Sequence, residues 1–253
     1  MGRGPHAMDA RLFAATAVPV LRLACTELSW LLQRGYADNA SRALVGDRHR
    51  LQKRQRTAIS RSACSEDHRG ARLARAQPLS KLRGASLAID GFNCLISVEA
   101  ALGGGVLLRG RDTALRDLAS VHGSYRRVDA TYEALRRLIA QIVLHEPAEV
   151  EWWLDRPVSN SGRLKAMIES TIESTIEPAT TSRKCATRWE VRLDFDPDTR
   201  LREHAGVIAS SDAAVLDGCE AWVDLPSAVV RTLVSDDAVA NPWCVDFSVL
   251  ATC

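Results

Sequence analysis

No two of the seven cysteines in this sequence are spaced as C-x-x-C, and the set at 25, 64, 94, 185, 219, 244 and 253 is odd and scattered. Neither a disulfide framework nor a zinc site is signalled, so the thiols are expected to be reduced and mostly in the core. Long apolar runs are also missing. Even the most apolar N-terminal run is cut by Pro19 and Arg22, well short of the roughly 18 residues that span a bilayer. Phe13 to Val20 resembles the core of a weak signal peptide without its cleavage site, and the expectation is a cytoplasmic protein with no membrane partner. The triplet Gly103-Gly104-Gly105 has no Gly-Lys-Ser/Thr after it, which excludes a P-loop. The acidic run from Asp194 to Asp198 has neither the central glycine nor the distal glutamate of a calcium loop, and it reads as a surface turn.

What is present begins with charge. The net charge of +2 conceals a division in which residues 1–83 hold 16 Lys and Arg against 6 Asp and Glu, while residues 84–253 hold 17 against 25. A basic part joined to an acidic part suits a nucleic-acid-handling protein with a carboxylate-lined site. Two unrelated solvated surfaces would give the same division.

From Pro19, Leu21, Ala24, Leu28, Leu31 and Leu32 recur at helical spacing, with Gly35 placed as a C-cap. Asn39 or Ser41 starts a second short helix ending near Gly46, and a third is expected from Asp47 or Arg48 to about Arg61. The third carries Arg48, Arg50, Lys53, Arg54 and Arg56 with no acid between Asp47 and Glu66. Such a density of positive charge opposes helix formation unless phosphates or neighbouring acids offset it. Contact with a nucleic-acid backbone and a solvated helix face are the two readings. Residues 66–84 read as a polar, Arg-rich linker.

Leu87-Ala88-Ile89 is an apolar run too short for a helix, and it delivers Asp90, Gly91 and Asn93 at its end. It reads as a buried strand with Asp90 where open α/β sheets place their sites, although Asp90 could simply cap the next helix. The arrangement recurs. Val150 to Leu154 ends on Asp155, Val207-Ile208-Ala209 runs into Ser210-Ser211-Asp212 with Asp217 beyond, and Ala221-Trp222-Val223 ends on Asp224. Helical spacing lies between them, in Leu95 to Leu102, Tyr132 to Val143, and Leu164 to Ile176. Asp117 and His122 are weaker candidates, each equally placed as an ordinary polar residue on a helix.

Strands alternating with helices define an α/β fold, a small helical module followed by a doubly wound, mostly parallel sheet flanked by helices. The expected divisions are a basic helical module at 19–65, a linker at 66–84, an α/β domain at 85–232 and an irregular tail at 233–253. Clustered carboxylates repel and raise one another's pKa unless a cation neutralises them. Oxygen-only ligands point to Mg²⁺ or Mn²⁺, with Asp90, Asp155 and Asp212 as metal ligands and Asp217 as a weaker fourth. Asn93 and Ser210 or Ser211 are candidates to orient a water.

Ile89-Asp90-Gly91-Phe92-Asn93 resembles the first motif of PIN-like and NYN-type ribonuclease domains, and Ser210-Ser211-Asp212 resembles their later Ser/Thr-x-Asp motif. Residues 22–230 are also similar to a microbial family of unknown function, of the 434 type. That resemblance is carried by Gly46-Asp47-Arg48-His49-Arg50-Leu51, Lys53-Arg54-Gln55-Arg56, Val121-His122-Gly123-Ser124-Tyr125 and Ser211 to Asp217. The nuclease resemblance implies a Mg²⁺- or Mn²⁺-dependent ribonuclease with Asp90, Asn93 and Asp212 at its centre and RNA as partner. Where that pattern carries a second acid, two residues after the later Asp, this chain has Ala214. A non-catalytic RNA- or ribosome-associated binding protein is therefore the alternative. A small-molecule phosphohydrolase is disfavoured, because no second Asp stands two residues after Asp90.

Overall fold

The structure is a computed structural model, and it describes residues 4–119, 125, 129–176, 187–235 and 243–249. His122 and most of the motif around it lie outside these residues. The chain opens with five helices, α1 (Asp9–Leu12), α2 (Val18–Gln33), α3 (Asp38–Arg48), α4 (Lys53–Ser62) and α5 (Glu66–Arg75). Leu21, Ala24, Cys25 and Leu28 bury one face of α2, as their spacing predicts. Gly35 ends it at φ +75°, and Gly35 N–H and Tyr36 N–H close back on the Leu32 and Leu31 carbonyls at 3.0 and 3.2 Å. This is a Schellman cap.

The break expected near Gly46 falls later: α3 runs on to Arg48, and the next helix starts only at Lys53. Between α3 and α4 the chain turns through residues 49–52, with Arg50 left-handed at φ 50°. Gln52 and Gln55 then form a reciprocal capping box that starts α4. The expected linker at 66–84 contains α5, a helix held down at several points. Ser65 caps it by accepting from His68 N–H at 3.2 Å, and Trp222 Nε1 donates to the Arg72 carbonyl at 2.7 Å.

The α/β part follows as β1 (Ser86–Asp90), α6 (Gly91–Leu102), β2 (Leu107–Arg109), β3 (Leu115–Asp117), α7 (Thr131–Leu144), β4 (Glu149–Asp155), α8 (Ser161–Ile176) and β5 (Arg188–Asp194). It continues with α9 (Pro197–Glu203), β6 (Val207–Ala209), α10 (Ala213–Gly218), β7 (Ala221–Val223), α11 (Leu225–Ser235) and β8 (Cys244–Asp246). Five strands form one sheet in the order β5-β4-β1-β6-β7, all parallel. Alternate residues feed two cores. Leu87 and Ile89, Val150, Trp152 and Leu154, and Val207 and Ala209 pack on one face with side chains from α6, α7, α8 and α11. Ala88, Trp153, Ile208 and Trp222 pack on the other with Leu201, Val215 and Leu216. Burial of both faces is the condition for an all-parallel sheet.

A second sheet, ordered β3-β2-β8, has no counterpart in the expected organisation. Its strands are three residues long, too short to show a period. The expected irregular tail supplies β8, which runs parallel to β2. Val245 and Phe247 join Val106, Leu108 and Leu118 in one core with Leu21, Leu28 and Ile59 of the helical module. No helix among the described residues is long and apolar enough to cross a membrane.

Candidate active site at the carboxyl edge of the sheet

In chain order the five parallel strands lie third, second, first, fourth, fifth, so the direction of winding reverses between β1 and β6. Open α/β sheets bind ligands outside the carboxyl ends of their strands at such a point. A cavity of about 500 Å³ lies there, lined by Asp90, Asn93, Asp117, Asp155, Asp198, Ser211 and Asp212, with Arg42, Ser60 and Arg61 from the helical module.

Asp90 ends β1 and caps α6, its carboxylate accepting Asn93 N–H at 3.3 Å and the Ser210 hydroxyl at 2.7 Å. The capping role and a place in the cavity are thus compatible. Gly91 follows because a Cβ there would come within 2.3 Å of the Trp152 indole and 2.6 Å of Leu154. Asn93 Oδ1 accepts both the N–H and the hydroxyl of Ser211, at 3.0 and 2.7 Å, which fastens the start of α6 to the end of β6. Ser210 Oγ accepts Asp212 N–H at 3.0 Å. Asp212 caps α10 through Ala214 N–H and Val215 N–H, at 2.8 and 3.1 Å.

The carboxylates act on each other. Burial, opposed by the Ser210 and Asn93 hydrogen bonds and joined by the Asp212 and Asp198 charges, pushes Asp90 up to about 7. Asp198 is raised by burial and then by Asp212 and Asp155; Asp155 is raised by burial and by Asp196. Upward shifts from burial and neighbouring acids mark carboxylates that share a space without enough positive charge among them.

Asp155, Asp212, Asp90 and Asn93 are therefore brought to one cavity, and Asp217 is not. Asp217 faces α5, where Arg72 Nε and Nη2 grip it at 2.7 and 2.8 Å and His68 approaches at 2.9 Å. Arg72 also bonds Asp112 at 2.8 Å. Asp112 pairs bidentately with Arg116 at 2.7 Å through both oxygens, and Arg116 Nε donates to the Ser211 carbonyl at 2.8 Å. Burial would raise Asp112, but Arg116 and Arg72 outweigh it and hold its pKa below the ordinary value. Asp217 thus anchors an ion-pair chain that ends on the backbone of the site. Asp224 caps α11 through Ser227 N–H at 2.9 Å and accepts Leu115 N–H at 3.0 Å, away from the cavity.

The basic residues of the module divide in the same way. Arg54 clamps the fully buried Asp9 at 2.6 and 2.8 Å. Arg56 bonds the Leu51 carbonyl at 2.8 Å and Asp47 at 2.7 Å, and Arg48 pairs with Glu27 at 3.2 Å. Arg50 lies in the turn and Lys53 starts α4. None of these five lines the cavity; Arg42 and Arg61 do. Arg61 reaches the Asp117 carbonyl at 2.6 Å, so the helical module is tied to the site from its own side.

Asp198 is the carboxylate that sequence reasoning missed. Asp196-Pro197 is a helix start, with Asp196 capping through Thr199 N–H at 3.2 Å and Pro197 in the first turn. Once that helix is recognised after β5, Asp198 falls at the same sheet edge as the other acids.

These features define a parallel α/β domain whose acidic switch-point cavity is lined in part by a helical module. The chain belongs to the family described as Domain of unknown function (DUF5616), whose model matches residues 79–228. The model of a second family, Protein of unknown function (DUF434), matches residues 20–75. The one family expected over 22–230 is thus two adjoining ones. A relative from Methanocaldococcus jannaschii, Uncharacterized protein MJ0935, is 28% identical over 148 residues, covering 58% of this chain and 71% of that protein. No solved structure matches the chain.

Proposed function

We propose that the cavity is the hydrolytic centre of a Mg²⁺- or Mn²⁺-dependent ribonuclease of PIN-like type. The observation that carries this is the convergence of Asp90, Asp155, Asp198 and Asp212 on one cavity, where burial and neighbouring acids raise Asp90 and Asp198. Every donor is an oxygen, which suits a hard divalent ion. Among the described residues no three His, Cys, Asp or Glu side chains are grouped so that they could hold a metal ion, so an ion here would rest on one or two carboxylates and its own waters, a mode open to Mg²⁺. Such an ion, when bound, supplies an activated water and offsets charge on a phosphodiester.

In this reading Asp90 and Asp212 hold the ion, with Asp155 and Asp198 as the remaining acidic wall. Ser210 keeps the Asp90 carboxylate oriented by donating to it, and Ser211 fixes Asn93 so that its amide nitrogen is free to position a ligand oxygen. Arg42 and Arg61, across the cavity, meet the phosphate. Asp198 contributes the charge that the nuclease pattern would carry at Ala214. The test is calorimetric Mn²⁺ titration of wild type and Asp90→Asn, followed by cleavage of a mixed single-stranded and structured RNA pool. Metal binding and metal-dependent cleavage, both lost in the variant, are expected; a folded wild type that binds no Mn²⁺ overturns the reading. The open ligand set and the exposed Ala214 favour, as second reading, an RNA-binding protein that does not cleave.

A further inference from the structure

Phe195, between β5 and α9, is 70% exposed, more than any other large hydrophobic side chain among the described residues. Trp189, Val191 and Leu193 pack from β5 onto the main core. Phe195 continues that alternation one step past the strand, which ends at Asp194, where the sheet has run out and no core receives the ring. It is not left alone. The Arg156 guanidinium lies over the ring, 5.0 Å from its centroid, and Arg156 N–H donates to the Asp194 carbonyl at 2.7 Å, which holds the two turns together.

The position of this pair matters more than its exposure. Asp155, immediately before Arg156, and Asp198, three residues after Phe195, both line the acidic cavity. An aromatic face in water, flanked by a guanidinium, is a surface on which an unpaired nucleobase stacks, whatever its identity. Bases within a duplex are already stacked on both sides and have no face to offer it.

We infer that Phe195 and Arg156 form a base-stacking platform beside the cavity, which selects RNA whose strand is unpaired next to the phosphate in the site. The inference rests on the ribonuclease reading for its substrate class, and it adds the conformation of that substrate. The arginine holds the ring's orientation and meets the negative backbone, while the ring takes the base.

The test measures affinity for a short labelled single-stranded RNA and for the duplex of the same sequence, with Ca²⁺ in place of Mg²⁺ or Mn²⁺. Wild type should favour the single strand. Phe195→Ala should weaken single-strand binding about tenfold, as loss of one aromatic–base stack does, and leave duplex binding unchanged. Phe195→Trp should preserve affinity and show additional indole quenching when the single strand binds. Equal single-strand affinity in wild type and Phe195→Ala overturns the platform, as does an equal loss for both RNAs or a wild type that binds neither. Cleavage is scored separately after adding Mn²⁺. Retained single-strand selectivity without cleavage would count against the hydrolytic reading and leave the platform standing.

Discussion

Replacing Asp90 by asparagine should make the metal-free protein more stable at pH 8, and the gain should disappear in acid. The carboxyl titrates near 7 in the folded chain against an ordinary value of 3.8. Between those values the folded state binds the proton more tightly than the unfolded state, so unfolding free energy falls as pH rises. Asp90 is therefore least costly below pH 4, and its full cost is reached once pH passes 7. The span corresponds to at most about 4 kcal/mol, at about 1.4 kcal/mol per pKa unit. Asparagine keeps the shape and removes the charge, but it gives up the bond from the Ser210 hydroxyl to a carboxylate, worth about 1 kcal/mol or somewhat more. The expected net gain is about 2–3 kcal/mol at pH 8, shrinking to zero or slightly negative near pH 4. Urea unfolding of both proteins across that range, in chelator, measures it. Equal stability at pH 8, or a difference that does not vary with pH, would refute the assignment of Asp90 as a strained, proton-seeking acid.

Further outcomes follow from the contacts of the site and of the elements that carry it. Asp198→Asn should weaken Mn²⁺ binding several-fold by calorimetry while leaving the fold intact, because Asp198 acts through its charge on Asp212 and Asp90; unchanged affinity would remove it from the site. Arg72→Ala should cost about 3–5 kcal/mol in urea unfolding, since Arg72 is 4% exposed and grips both Asp112 and Asp217; Asp217→Asn, outside the cavity, should leave Mn²⁺ affinity within about twofold. Gly91→Ala should cost about 1–3 kcal/mol, because the new Cβ meets the Trp152 indole 2.3 Å away, and near-neutral stability would show that α6 shifts freely. Arg54→Ala should destabilise by about 3–5 kcal/mol, since it strands the carboxylate of Asp9, which is fully buried; a variant of native stability with weakened RNA binding would return Arg54 to the list of phosphate contacts.

Four of the five strands of the main sheet were legible because each is a short, largely apolar run closed by an acid or a turn. Asp90, Asp155 and Asp212 could be placed on one edge from that pattern and the rule for parallel sheets alone. Asp217 was misplaced for a different reason: nothing local distinguishes an acid one turn into α10 that faces the cavity from one that faces α5. The partner that decides it, Arg72, is 145 residues away in sequence. The basic run at 48–56 is less open than it reads, because Arg54, Arg48 and Arg56 are matched by Asp9, Glu27 and Asp47, and only Asp47 is adjacent to the run in sequence. Asp198 was within reach, since Asp-Pro announces a helix start and the helix follows a strand's carboxyl end. Reading the acidic run as a solvent-facing turn concealed it.

The small second sheet explains why two families adjoin in one compact body. On β2, Leu107 packs into the core of the α/β part and its neighbour Leu108 into the core of the helical module, so three residues of strand serve two interiors. The hairpin from β2 to β3 carries Asp112 and Arg116, and Gly110 within it leaves room for that ion pair, since a Cβ there would fall 2.2 Å from Arg116 Nη1. The same hairpin therefore joins the two cores and supports the Ser211 carbonyl at the site. Arg42 and Arg61 line the cavity from α3 and α4, and α4 packs on β2. A change in how the module seats on this sheet would shift the arginines, the Asp112–Arg116 pair and the Ser210-to-Asp212 turn together. The acidic edge of the α/β part and the arginines that the module adds to its lining are in that sense a single device, and neither family's portion of the chain contains the whole of it.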